Sequence, residues 1–259
     1  MLDNVLIIKL GGALIENDNA LSALYEGLTN YLKNNKRPIV LVHGGGCLVD
    51  DLLKSLGLKS EKKNGLRVTP KEHIGYITGA LAGTANKMML AKAKSVGIDA
   101  VGLCLTDGDM IKVTQRSEEL GCVGDVALGS PKLLEVLLQN NYMPVISSIG
   151  ITQEGELMNI NADEAAVALA VVLKADLALL SDVDGILDKD GNLIKEMTQD
   201  YATKLINEGI ISGGMEVKVK AALKAAKTLN KSLSVASWKY PEKLSALLSG
   251  EPIGTKVLP

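Results

Sequence analysis

Gly11-Gly12 close the apolar run VLIIKL (5–10), and Gly44-Gly45-Gly46 close the run IVLVH (39–43). Glycines let backbone N–H groups approach an anion closely, and a helix starting just after such a loop favours negative charge. Two loops at corresponding ends of successive apolar runs predict an anion site, although each alone would also serve as a tight turn. The standard phosphate fingerprints fail. A GxGxxG from Gly44 needs a glycine where Val49 stands, and no GxxxxGK[ST], HRD or DFG occurs. Lys9 interrupts a run that otherwise reads as a central strand, which places an ammonium beside Gly11-Gly12; a lysine snorkelling from an edge strand is the alternative. Lys220, Lys224, Lys227 and Lys231 form a solvated helix face. At about 100° per residue Lys218 falls opposite it, with Ala222, Ala225 and Leu229. A lysine on the apolar side of its helix requires an anionic partner.

Other candidates carry open alternatives. Asp163 follows a candidate N-cap, Asn161, and an acid in the first helical turn is favoured by the dipole alone. Arg67 ends a basic loop, where a solvated surface arginine fits equally. His43 and His73 lack any HExxH spacing, which disfavours zinc. Cys47, Cys104 and Cys122 read as small core residues rather than nucleophiles. In DVDGILDKDGN, Ile186 and Leu193 fall where a calcium loop needs a ligand and a glycine, so calcium is rejected.

The elements that position these groups follow from hydrophobic pattern. VLIIKL (5–10), IVLVH (39–43), AVGLCL (100–105), PVISSI (144–149), LALLS (177–181) and LSVAS (233–237) are short apolar runs without polar alternation, as in strands buried on both faces. Between several of them lie amphipathic helices. One spans 18–35, with Asp18 or Asn19 as N-cap; a second carries the stripe Leu48, Leu52, Leu53 and Leu56, closed by Gly57. Strand–helix alternation predicts an α/β fold around a mostly parallel sheet. Glu154-Gly155 and Asp190-Gly191 predict hairpins. A change of lobe is expected near residue 175, after the Ala-rich helix 163–174.

Composition excludes other classes. Among 259 residues, Lys plus Arg is 28 and Asp plus Glu is 30, a net charge of −2. That leaves no basic footprint for nucleic acid or a membrane surface. Three scattered cysteines fit a reducing compartment, and the longest apolar stretch, 165–173, is too short to cross a bilayer.

The segments IIKLGGALI, VHGGG, KNGLRVTP, GALAGTANK, MNINADEAA, LLSDVDGIL and GGMEVKVKAAL, in this order across essentially the whole chain, resemble the amino-acid kinase superfamily. Within it they resemble the bacterial branch that phosphorylates N-acetyl-L-glutamate. The resemblance implies a three-layer αβα sandwich around a mainly parallel open sheet. Residues 1–175 would form an amino-terminal lobe for acetylglutamate and dimerisation, and 176–259 a carboxy-terminal lobe for ATP. By matching motif, Lys9 and Lys218 would stabilise the transferring phosphoryl group, lined by Gly12, Gly45 and Gly46, and Asp163 would orient both lysines. Gly45, Gly46, Arg67 and Asn159 would hold acetylglutamate, with Arg67 on its α-carboxylate. Asp182, Val183, Asp184, Gly185, Ile186 and Leu187, with Ile210, Ile211 and Ser212, would contact the nucleotide.

The implied reaction gives ADP and N-acetyl-L-glutamyl 5-phosphate, in arginine biosynthesis, with Mg2+ carried on the ATP phosphates and no metal ligands on the protein. It needs no general base, because a γ-carboxyl of pKa about 4.3 is already ionised. Arginine-inhibited hexamers of the superfamily resemble one another in an extra helix before the first strand. Here four residues precede the first run, so a cytoplasmic homodimer without arginine feedback or a stable hetero-partner is expected. Carbamate, aspartate or glutamate kinase relatives, a sensor that has lost turnover, and a dinucleotide-binding dehydrogenase, disfavoured because neither glycine cluster completes the fingerprint, are the competing readings.

Overall fold

The apolar runs become strands because both of their faces are covered. The computed structural model describes residues 4–35, 37–63, 65–251 and 253–259. Its main sheet contains β1 (Leu6–Leu10), β2 (Ile39–His43), β3 (Ala100–Cys104), β4 (Met143–Ser147), β5 (Asp176–Ser181), β6 (Glu196–Met197), β7 (Leu233–Ser237) and β8 (Thr255–Val257). The spatial order is β6-β8-β7-β5-β1-β2-β4-β3. Every pairing is parallel except β7 with β8. The strands up to Ser147 build one half of the sheet and those from Asp176 the other, meeting where β1 pairs with β5.

Ten α-helices are described: α1 (Gly12–Glu16), α2 (Asp18–Asn34), α3 (Gly46–Ser55), α4 (Ile74–Thr78), α5 (Asn86–Ser95), α6 (Lys132–Gln139), α7 (Ala162–Leu173), α8 (Gln199–Asn207), α9 (Gly213–Leu229) and α10 (Pro241–Leu248). Side chains of β1 alternate between two cores, as a strand requires. Leu6, Ile8 and Leu10 pack with residues of α2, α5 and α10. Val5 and Ile7 face the other layer, with Ala165 and Leu169 of α7, Val219 and Ala222 of α9 and Leu134 of α6. The architecture is the expected αβα sandwich.

Several local expectations change. The N-cap of α2 is Asn17, whose side chain accepts the Ala20 N–H at 3.0 Å; Asp18 is already helical because α1 ends just before it. On α3 the buried residues are Val49 and Leu53, while Leu56 is the exposed C-cap. Glu154-Gly155 joins the antiparallel pair Ile149–Ile151 and Leu157–Asn159, as expected. Asp190-Gly191 closes only a single bridge, Leu187 with Leu193, because the Asp188 carboxylate binds the N–H groups of Asp190 and Asn192 and tightens the loop. Two hairpins were not anticipated, Glu61–Lys63 with Leu66–Val68 and Ile111–Gln115 with Gly124–Leu128. The GALAGTA segment, Gly79–Ala85, is a π-helix between α4 and α5.

Candidate active site

Lys9 shares the face of Ile7, by the two-residue period of a strand, and so points toward the layer of α7. The first turn of α7 meets it there. Asn161 caps that helix, its Oδ1 accepting N–H groups of Asp163 at 2.9 Å and Glu164 at 3.1 Å. The cap fixes Asp163, whose Oδ1 lies 2.9 Å from Lys9 Nζ. Lys9 is only 17% exposed while the Asp163 side chain is 40% exposed, so the lysine is sheltered at the mouth of the sheet and the acid reaches solvent.

The two glycine clusters touch. A Cβ on Gly12 would lie 3.1 Å from the Gly46 nitrogen, so the β1 and β2 loops approach backbone to backbone. Gly45 has φ +156°, and a Cβ there would lie 2.9 Å from Leu81 of the π-helix. Behind the loop, His43 is fully buried. Its Nδ1 is 2.8 Å from the Gly44 carbonyl and its Nε2 3.1 Å from Asn86 Nδ2. A carbonyl can only accept, so Nδ1 carries the proton and Nε2 accepts from the amide. Burial lowers the His43 pKa to about 4.

These elements enclose a cavity of about 250 Å³, lined among others by Lys9, Gly12, Gly44, Gly45, Gly46, Arg67, Asn159 and Asp163. The N-termini of α3 and α7 both border it, adding two positive dipole ends to the lysine. Arg67, left open as a surface residue by its sequence context, is buried. Its Nη1 donates to Asp50 Oδ1 and Ser60 Oγ, and its Nη2 to the Gly46 carbonyl at 2.9 Å. Asn159 Nδ2 donates to Thr69 Oγ1 at 3.2 Å, and Thr69 Oγ1 to the Arg67 carbonyl at 3.0 Å, so the two residues share a network. The sequence reading missed Asp50, Ser60, Thr69 and the cavity-lining Lys62. Asp50 was legible only as the residue four after Gly46, on the same side of α3.

Lys218 differs from expectation. It is 45% exposed rather than sheltered on the apolar side of α9. The required anion is Asp182, 2.7 Å away and just past the end of β5, with Ser181 Oγ at 3.2 Å. Lys218 holds the Asp182 carboxyl down to a pKa of about 2. Among the described residues Asp163 therefore binds Lys9, while Lys218 is held by Asp182; a single acid joining both lysines is not what the geometry contains.

The remaining nucleotide candidates divide. Asp184 and Leu187 line a second cavity of about 850 Å³ with Ser237, Tyr240 and Lys243. Val183 is half-buried, and Gly185 (φ +143°) packs against Leu193 and Thr255. Ile186 and Ile211 belong to the core, so only their backbones could meet a ligand. Ile210, Ile211 and Ser212 line neither cavity; they lead into α9, which carries Lys218. Burial pushes all three thiols up, which leaves no activated thiolate, and Cys47 is exposed rather than core because it opens the first turn of α3.

Glycine loops, helix N-termini and two lysines gathered at the carboxyl ends of adjacent parallel strands define a class of protein that handles anionic groups on an open α/β sheet. The chain belongs to the amino acid kinase family, whose sequence model matches residues 4–237. It is 60% identical over 252 residues, 97% of each chain, to the acetylglutamate kinase of Aeromonas salmonicida (strain A449). Among solved structures, the smu.665 protein of Streptococcus mutans UA159 superposes with a TM-score of 0.80 at 26% identity, covering 98% of both chains. The N-acetylglutamate synthase of Neisseria gonorrhoeae, complexed with coenzyme A and N-acetyl-glutamate, shares the fold with a TM-score of 0.83 at 20% identity, over 99% of this chain and 59% of that one.

Proposed function

We propose that the chain is an acetylglutamate kinase: it transfers the γ-phosphoryl group of ATP to the γ-carboxylate of N-acetyl-L-glutamate, giving ADP and N-acetyl-L-glutamyl 5-phosphate in arginine biosynthesis. The observation that carries this reading is one small cavity holding a buried guanidinium, Arg67, together with the Lys9–Asp163 pair. At about 250 Å³ it falls just below the roughly 300–1,000 Å³ of drug-sized pockets, which suits a small amino-acid derivative. Residues 1–175 supply the acetylglutamate contacts and 176–259 those to ATP.

An oxygen of the γ-carboxylate forms the new P–O bond while the bond from the γ-phosphorus to the β,γ-bridging oxygen breaks, and ADP leaves with the electron pair. No proton moves. The protein's task is to hold two anions in line and spread the charge that develops. Arg67 and Asn159 fix the acceptor, Lys9 and the Gly12, Gly45 and Gly46 N–H groups face the transferring phosphoryl, and Lys218 reaches it from α9. Asp163 aims Lys9; Asp182 plays that part for Lys218. Mg2+ is assigned to the ATP phosphates, as the family resemblance implies. The ion neutralises phosphate charge when bound.

A cytoplasmic homodimer is the assembly we assign. Its support is the helical stretch 74–95, where Tyr76 and Met88 are exposed and nothing lies within 4 Å of a Cβ on Gly75, Gly79 or Gly83, so a second helix could approach closely. Light scattering should give twice the 27.3 kDa chain mass; an arginine-responsive hexamer would overturn the assignment. For the activity, the purified protein is given Mg·ATP, hydroxylamine and, in parallel, N-acetylglutamate, glutamate, aspartate or bicarbonate with ammonia. Hydroxamate formed with N-acetylglutamate and not with glutamate or aspartate is expected. Turnover of another acceptor alone would reassign the pocket, and binding without turnover would make the chain a sensor.

A further inference from the structure

A guanidinium has five N–H donors and no acceptor. In Arg67, Asp50 and Ser60 take the two hydrogens of Nη1, and the Gly46 carbonyl takes one from Nη2. Among the described residues, Nε–H and the second Nη2–H have no protein partner. Two donors in one plane match the two oxygens of one carboxylate. The backing is itself braced. Ser60 Oγ donates to Asp50 Oδ1 at 2.7 Å, and Lys62 Nζ stands 3.5 Å from Asp50 Oδ2. Asp50 lies on α3, whereas Arg67 and Lys62 pair across the hairpin Glu61–Val68, so one carboxylate ties the hairpin to the helix that opens with the glycine loop. The guanidinium holds the Asp50 carboxyl far below the usual carboxylate range, so it stays ionised throughout the working pH range.

We infer that Asp50 is a positioning and specificity-determining residue: with Ser60 it occupies one end of the Arg67 guanidinium and leaves a two-donor face that selects an α-carboxylate. The inference rests on the acceptor proposed above. Charge alone would act in the opposite direction, since an acid beside the site repels an anionic substrate. The arrangement is useful only because orientation outweighs that repulsion.

The test is a set of variants assayed for the KM of N-acetylglutamate, the KM of ATP and kcat, with N-acetylglutamate α-amide as the rejected analogue. Asp50→Ala should raise the N-acetylglutamate KM by about tenfold or more, within the range of coupling between groups of one contacting network, and should narrow the acid-over-amide preference. kcat and the ATP KM should stay within about twofold. Asp50→Asn keeps an acceptor oxygen and removes the repelling charge, so it should restore most of the affinity. In an Arg67→Ala background, where the N-acetylglutamate KM is already raised, adding Asp50→Ala should raise it no further, because the group it positions is gone and only a repelling charge is removed. An unchanged or lowered KM in Asp50→Ala, equal damage from Asn, or fully additive effects in the double variant would overturn the role. Should Asp50→Ala fold poorly, Ser60→Ala removes the second Nη1 acceptor, and an unchanged KM and amide preference there would count equally against it. A parent protein inactive on N-acetylglutamate would instead refute the acceptor assignment, and the Asp50 role with it.

Discussion

Lys218 and Asp182 pair across the ends of β5 and α9, with both side chains about half exposed. In the mechanism proposed above, a lysine held there acts when charge accumulates on the phosphoryl oxygens rather than when ATP first binds. Lys218→Ala should therefore lower kcat by far more than it raises the ATP KM; a weakened ATP KM with unchanged kcat would make Lys218 a binding group. His43 predicts a pH effect of a different kind. The folded chain keeps the ring neutral down to about pH 4, whereas an unfolded chain protonates below about 6.5. The unfolded state binds more protons between those values, so stability falls as pH drops through that window. Urea unfolding of His43→Gln should show a flatter profile from pH 6.5 to 4, and an unchanged profile would assign the slope to other groups. Lys9 stood out in the sequence because an ammonium inside an apolar run demands an explanation. Asp50 did not, because a carboxylate on a helix looks like any solvated charge until its partner is in place; Asp182 entered through the resemblance as a nucleotide contact, and its pairing with Lys218 could not be read before the two elements met.

At the scale of elements, the cap of α7 has a measurable share in the site. Asn161→Ala removes the one oxygen that accepts two N–H groups and should cost about 1 kcal/mol in denaturant unfolding, together with a lower kcat as Asp163 loses its anchor. Stability and kcat both equal to the parent would show that water replaces the cap. The six principal strands were legible within a residue or two because burial on both faces leaves a continuous apolar run, the run 144–149 overshooting Met143–Ser147 into the separate strand Ile149–Ile151. The hairpin Ile111–Gln115 with Gly124–Leu128 hid for the opposite reason. Ile111 and Val113 are buried while Lys112 and Thr114 are exposed, a weak two-residue alternation inside a polar stretch. Glu61–Val68 carries the Asn-Gly turn signal, but its flanks are charged and offer no apolar pattern. The π-helix could not be read from periodicity at all. GALAGTA is made mostly of small residues with no apolar stripe to set a period, and its one large side chain, Leu81, lies against the Gly45 loop.

Across the whole molecule, the strand order reverses direction between β1 and β5, and the crevice outside their carboxyl ends is where such sheets bind ligands. Lys9 and Asp182 flank that crevice from its two sides, one from each half of the chain. That placement depends on β5 returning to the far side of β1, and nothing local in the sequence specifies that return. The main sheet passes between its halves at one seam, β1 against β5, and the chain reaches it once, through α7 and Lys174. A chain cut after Lys174 would thus bare two long apolar strand edges, one on each fragment. Each fragment alone should aggregate. Synthesised together, they should pair again across the seam and regain acetylglutamate-dependent ADP release, and two inactive fragments on co-expression would show that the seam does not reassemble.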